Sequence, residues 1–420
     1  MQRKYLYKFL LFLFATTMIS QHAAAYPIDG YDHTGIERLL YHYRNYTDST
    51  ATTRLDSGAM LMLDDIRLSL EEGVGAWPDK DENLMTSLRS VFRYLEPQYS
   101  ISVMDITDPD NLRYAGLREE VGYQPGSVAK IIAAVTLFHS LHGIYGDDWE
   151  AIHEVLLTKR VYGGDYVHSD HHTIPLYDVE KGVYSKRIAQ GSDLFSLYGW
   201  LDHMFSKSSN AAASVIMREA LVSHILDVHY HCADHDTMEE TIQHHGRVAL
   251  GQLSEDLTNC ALQSINISQD EFRLGGFFTS GAEQHVMRSG GSIGTTKGLL
   301  KFLYALETGT VISPEISLEI KRLMYLTDRR IRYAASHVLD QDAVYYKSGS
   351  LYSFKPEPGF VKKKYAGNRY NYMNSVAIIE KQDSAQTKYL VALMSNVLRK
   401  NSVGEHYALA GHVDRMIVGN

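Results

Sequence analysis

The stretch Gly122-Tyr123-Gln124-Pro125-Gly126-Ser127-Val128-Ala129-Lys130 decides how the chain is read. Pro125 and Gly126 are turn residues. An apolar run follows to about residue 142, filled by Ile131, Ile132, Val135 and Leu137, and predicts a buried helix opening at Ser127. On such a helix Ser127 and Lys130 share a face, roughly 5–6 Å apart. A serine hydroxyl is a poor nucleophile until a base takes its proton. A lysine can be that base only as the neutral amine, which burial and cationic neighbours favour. The helix start also aims backbone N–H groups where an oxyanion would form. Alone the pair is a weak signal, because a capping serine beside a solvated lysine reads the same way.

Working outward, residues 56–95 have helical spacing, with Met60, Leu63, Ile66 and Leu70 at three- and four-residue steps. Trp77-Pro78 interrupts them, and a second helix is expected over 81–95. Residues 100–106 alternate as a strand, Asp108-Pro109-Asp110-Asn111 is turn chemistry, and 112–117 returns as the second strand. The middle, 145–340, reads as mainly helical with polar loops, including helices over 194–205, 210–222 and 296–306. Strands are expected at 343–350, 375–380 and 389–395, then a last amphipathic helix over 404–417. The fold class that follows is α/β: an antiparallel sheet flanked by helices, with an all-helical subdomain (about 131–340) inserted between its second and third strands. Ligand sites favour such seams.

Two polar triplets fall where a seam could collect them. Ser208-Ser209-Asn210 stands before the small-residue run Ala211-Ala212-Ala213. A hydroxyl there can relay a proton, and the Asn amide can bond a substrate carbonyl or a lysine; an ordinary helix cap reads identically. Lys347-Ser348-Gly349-Ser350 lies on an expected strand. Its lysine and hydroxyl could bind a carboxylate, Gly349 would let a ligand come close, and the Ser350 N–H could face an oxyanion. A solvated edge strand is the plain alternative.

Together, Ser-x-x-Lys, Ser-x-Asn and Lys-Ser-Gly agree in order and element type with the S-x-x-K, S-D-N and K-T-G set of class A β-lactamases and penicillin-binding proteins. From about residue 99 to 420 the chain resembles that superfamily. Gly294-Thr295-Thr296 and Asp328-Arg329-Arg330-Ile331-Arg332 are similar to class A segments. The resemblance implies Ser127 as the acylated nucleophile, with Lys130 as its base or proton shuttle. It implies Ser208 as proton donor to the leaving nitrogen and Asn210 as orienter. Lys347 and Ser348 would hold the substrate carboxylate, and the N–H groups of Ser127 and Ser350 would form the oxyanion hole beside Gly349. No cofactor or metal is required. The implied function is first the hydrolysis of a small-molecule β-lactam by a class A-like β-lactamase. The alternatives are a D,D-carboxypeptidase or endopeptidase acting on D-Ala-D-Ala-type stem peptides, with cell-wall association, and a penicillin-binding sensor that acylates without turnover.

The chain departs from that pattern. Ser209 replaces the acid of the second motif, Ser348 replaces Thr in the third, and an insertion at about 145–190 lengthens the first interval. Class A enzymes deacylate with a loop Glu followed by Asn four residues on. Glu255 with Asn259 has that spacing but lacks a following Pro, and Asp256 or Glu271 could serve instead.

The first 25 residues read as a signal peptide: Arg3, Lys4 and Lys8, then an apolar core over 9–19, then Ala23-Ala24-Ala25. A secreted or periplasmic protein is expected, with residues 26–98 as a helical extension. The net charge of −9 argues against nucleic acid as a partner. Cys232 and Cys260 could pair after export. The clusters His168, Asp170, His171, His172 and His224, His229, His231, His235 each have enough donors for a metal, but no regular ligand spacing links them to the serine site, and they read as loop histidines.

Overall fold

The computed structural model of the protein describes residues 25–47, 55–70, 77–93, 95, 97–178, 183–327 and 330–419. The leader-like residues 1–24, and Asp328 and Arg329 of the segment before the third strand, lie outside the described residues.

Two helices, α1 (Tyr31–Thr34) and α2 (Glu37–Thr47), open the described chain. The helix expected around Met60 to Leu70 does not form; Ser57–Ala59 and Leu63–Asp65 are single 3-10 turns. The apolar spacing does bury Ile66 and Leu70, but the backbone bonds to distant chain instead of to itself. Leu61 N–H donates to the Tyr325 hydroxyl at 2.9 Å and Leu70 N–H to the Glu307 carbonyl at 3.1 Å. Helix α3 (Glu82–Phe92) follows, capped by the Asp81 carboxylate, which accepts the Leu84 N–H at 2.7 Å.

Strands β1 (Tyr99–Asp105) and β2 (Arg113–Leu117) form the first hairpin. A 3-10 turn at Gly126–Ala129 then runs straight into α4 (Lys130–Tyr145), so Ser127 precedes the α-helix proper. Helix α5 (Trp149–Thr158) leads into two small two-stranded sheets that the helical reading of the middle of the chain did not include. They are built from β3 (Arg160–Tyr162) with β6 (Leu194–Ser196), and β4 (Thr173–Asp178) with β5 (Val183–Ile188). β3 and β6, three residues each, are too short to announce themselves by alternation, and each exists only through its partner.

Helices α6 (Leu197–Ser206), α7 (Asn210–Leu226) and α8 (His235–Gln263) complete the central block. Gly246, at φ +72°, breaks the last of these. A two-residue pairing of β7 (Phe272–Arg273) with β8 (Ile293–Gly294) brackets the short α9 (Ser280–His285). Then come α10 (Thr296–Glu307), α11 (Pro314–Met324), β9 (Ala343–Ser353), β10 (Tyr370–Glu380), β11 (Lys388–Asn396) and α12 (Val403–Val418).

The main sheet is antiparallel throughout, in the order β2-β1-β11-β10-β9, so β9 is an edge strand. Both faces are buried, and the strand period of two divides them. On β10, Val376 and Ile378 join a core shared with α4, α7 and α10. Ala377 and Ile379 join a second core under α3 and α12. Helix α4 is buried on nearly every side and packs against α7, whose Ala211, Ala212 and Ala213 are all fully buried. The segment Gly126–Tyr145 is apolar and long enough to span a bilayer, yet it is the core helix here. Cys232 and Cys260 are both exposed and free, so the pairing allowed by the sequence is not made.

Candidate active site

Three pieces of chain converge at the seam between the helical block and the edge of the sheet. The Gly126 turn carries Ser127, and Gly126 has φ +55°, which only glycine adopts without strain. One turn on, Lys130 is completely shut off from solvent. Its Nζ lies 3.0 Å from Ser127 Oγ, 2.7 Å from Asn210 Oδ1 and 3.3 Å from Ser208 Oγ, and also bonds the Ser208 carbonyl. Ser208 holds that carbonyl in place with φ +59°, a strained conformation for a residue with a β-carbon. From β9, Lys347 Nζ donates to Ser208 Oγ at 2.9 Å.

Burial strips water from the Lys130 ammonium and lowers its pKa to about 7, against a smaller opposing pull from the charge of Asp170. The Phe278 ring, 5.6 Å away, covers the amine. It belongs to the segment between α8 and α10.

The β9 edge closes the site. Gly349 abuts the Ser127 turn, and Arg332 holds the strand by donating to the Gly349 carbonyl at 2.7 Å and to Ser350 Oγ at 3.0 Å. Asn374, opposite Gly349 on β10, donates to the Gln124 carbonyl at 2.9 Å and pins the loop before Ser127. Ser348 is partly exposed beside a cleft bounded by Phe205, Ser208, Leu326, Tyr346 and Lys347. A larger cavity, between Arg38, Tyr177, Phe195 and His203, contains none of these hydroxyl and amine groups. The smaller cleft is therefore where the chemistry is available.

No protein-family model matches this sequence, and no curated protein does. Solved structures do. A class A β-lactamase from Bacteroides cellulosilyticus superposes with a TM-score of 0.50 at 10% identity, over 81% of this chain and 98% of that one. The TLA-3 extended-spectrum β-lactamase gives 0.52 at 11%, over 80% and 99%. A β-lactamase from Chitinophaga pinensis gives 0.51 at 9%, over 80% and 100%. This is the serine β-lactamase/penicillin-binding-protein fold.

Within that fold, Ser127, Lys130, Ser208 and Asn210 form one hydrogen-bonded cluster, and Lys347 joins it through Ser208. Gly349 and Ser350 border the cluster through the Ser127 turn. Glu255 does not enter it. It sits within α8, partly exposed, and its carboxylate makes no hydrogen bond or ion pair among the described residues. The alternatives are engaged elsewhere: Asp256 accepts from Gln252 at 3.0 Å and Glu271 pairs with Lys301 at 2.6 Å. Among the described residues, no carboxylate bonds Ser127 or Lys130, and no histidine, cysteine and acid group is arranged to hold a metal.

Sequence reasoning missed three residues. Phe278 lies outside every motif the sequence offered. Arg332 was noticed only as part of a similar segment. Asp170 was set aside with its neighbouring histidines, yet it is buried against the second motif, with its Oδ2 accepting the Ser209 hydroxyl at 2.8 Å.

Proposed function

We propose that the chain is a serine hydrolase that opens amide bonds through an acyl-enzyme on Ser127. The observation that carries this is Lys130, buried, with its pKa brought down to about 7 and its amine 3.0 Å from the Ser127 hydroxyl. A neutral lysine has two N–H donors and one lone pair. Two of its neighbours, the Ser208 carbonyl and Asn210 Oδ1, can only accept. They take the two N–H groups and leave the lone pair for the Ser127 proton.

Ser127 Oγ would then attack the substrate carbonyl while the N–H groups of Ser127 and Ser350 face the developing oxyanion. The proton now on Lys130 leaves through Ser208 Oγ, 3.3 Å away, to the departing nitrogen. Lys347 and Ser348, on the cleft wall, suit a substrate carboxylate.

Two substrate classes fit: a β-lactam ring, or the amide of a D-Ala-D-Ala-type peptide. Phe278 favours the peptide. A β-lactam's leaving nitrogen stays tethered to the acyl group, so water must be activated from another side by another base. The group covering Lys130 is an aromatic ring, not a carboxylate. A peptide's amine departs and leaves room for water beside Lys130 itself. We therefore read the chain as a penicillin-binding D,D-peptidase that β-lactams acylate and occupy. The leader-like first 25 residues support action outside the cytoplasm, next to the cell wall.

Intact-mass analysis after β-lactam exposure, with D-Ala release from a D-Ala-D-Ala peptide measured in parallel, tests this reading. The expected result is a lasting one-equivalent adduct and released D-Ala, both abolished in Ser127→Ala. Steady, Ser127-dependent nitrocefin turnover would instead establish β-lactam hydrolysis as the activity.

A further inference from the structure

The second motif lacks its acid, because Ser209 stands where the S-D-N pattern has Asp. The structure shows a carboxylate at that place all the same, delivered from another part of the chain. Asp170, in the insertion, has its side chain entirely buried beside the motif. One oxygen, Oδ2, accepts the Ser209 hydroxyl at 2.8 Å and the Ala211 N–H at 2.9 Å. The other, Oδ1, accepts His172 Nδ1 at 2.6 Å and the His172 N–H at 3.1 Å. Ser209 Oγ in turn accepts the Ala212 N–H at 3.1 Å as the cap of α7. A buried charge is tolerated only when it is this fully bonded.

Burial would push the Asp170 pKa up, but the His172 ring and the Ala211 N–H outweigh it and hold the carboxyl well below the usual range. Asp170 therefore stays ionised. A carboxylate can only accept, so His172 Nδ1 carries the proton in their bond. The titratable groups around Asp170 are His172 on its own segment and Lys130 on α4. Lys347 of β9 reaches the same Ser208 hydroxyl as Lys130, and His168 and His171 are exposed.

We propose that Asp170, steadied by His172, is a positioning residue for Lys130 that supplies from the insertion the buried negative charge its second motif lacks. It acts in two ways. Its bonds to Ser209 and Ala211 clamp the turn that aims the Ser208 carbonyl and Asn210 Oδ1 at Lys130. Its charge favours the protonated amine, so that the desolvated lysine keeps a pKa near neutrality instead of falling further. This rests on Lys130 being the base of the reaction proposed above.

The test is the pH dependence of Ser127 acylation by nitrocefin, followed as the single-turnover burst from about pH 5 to about pH 9. Only neutral Lys130 is a base, so the rate has an acid limb at its pKa. Removing the negative charge in Asp170→Asn lowers that pKa, and the limb moves acidward by about one pH unit. At acid pH the variant then retains a larger share of its plateau rate than the parent does. A second pair guards against misfolding: Asp170→Asn combined with either Ser209→Asp or Ser209→Asn. Both partners keep a good helix cap and differ by one charge. The Ser209→Asp form should return the limb to the parent position and the Ser209→Asn form should not. A limb that stays put in Asp170→Asn, or coincides within the pair, overturns the inference and leaves Asp170 a structural contact only. If the unmodified protein forms no Ser127 adduct, it is the underlying reaction that fails.

Discussion

Gly349 stands so close to Pro125 that a β-carbon on it would lie 2.1 Å from the Pro125 carbonyl oxygen, and within 3.1 Å of the Ser127 nitrogen. The edge strand and the turn holding Ser127 are thus fitted backbone to backbone. No flexible side chain is available there to give way. This contact sets the spacing between the N–H groups of Ser127 and Ser350.

Gly349→Ala should therefore separate strand from turn. The expected loss in acylation rate is ~10²-fold, of the order found when one oxyanion donor is removed. Overpacking should lower stability by about 1–3 kcal/mol. Stopped-flow acylation read beside urea denaturation separates the two effects. An alanine variant that acylates at the parental rate would contradict this account of the contact.

Acylation should rise with pH. The Lys130 pKa is lowered to about 7. Below it the amine holds its proton and cannot act as a base; above it the lone pair is free. The rate should climb through about pH 7 and level off above it. An acid limb near the ordinary lysine value of about 10.4 would mean that Lys130 is not desolvated in solution.

Much of the fold was legible because its signals are local. Val344–Tyr346 of β9, Val376–Ile379 of β10 and Tyr389–Met394 of β11 are apolar runs whose side chains enter both cores, and α4 is mostly apolar and buried, so each declares itself. Residues 56–70 misled because their apolar spacing is helical while their hydrogen bonds go to Tyr325 and Glu307, hundreds of residues away. Ser127 and Lys130 were legible as an i, i+3 pair. Asp170 was not, since its partners Ser209 and Ala211 lie 39 and 41 residues on. The available clue was the missing acid at Ser209 beside an unexplained Asp among histidines.

Lys321 should be a point of failure for the whole domain. It is fully buried with Nζ 2.7 Å from Glu307 and 2.6 Å from Glu380, and it also donates to the Arg67 carbonyl at 2.6 Å. The two carboxylates hold the lysine charged by raising its pKa against the pull of burial. Lys321→Met would leave two carboxylates facing each other without water. The expected cost is about 3–5 kcal/mol, read as a lower urea midpoint. Replacing the trio with well-packed apolar residues should cost far less, because no unpaired charge remains.

Phe278 and Glu255 make opposite predictions for the fate of the acyl-enzyme. If Glu255 activated the deacylating water, Glu255→Gln would lengthen the life of a β-lactam adduct by the ~10²–10⁴-fold typical of losing a general base. Its carboxylate has no partner in the site, so the expected change is none. Phe278 does touch the site, with its ring over the Lys130 amine. Phe278→Ala opens that amine to water. It should raise the Lys130 pKa by relieving desolvation, move the acid limb of acylation toward higher pH, and shorten the adduct's life as water gains entry. Adduct decay followed by intact mass in both variants decides between them: a long-lived adduct created by Glu255→Gln, with Phe278→Ala unchanged, would restore the carboxylate as the deacylation base.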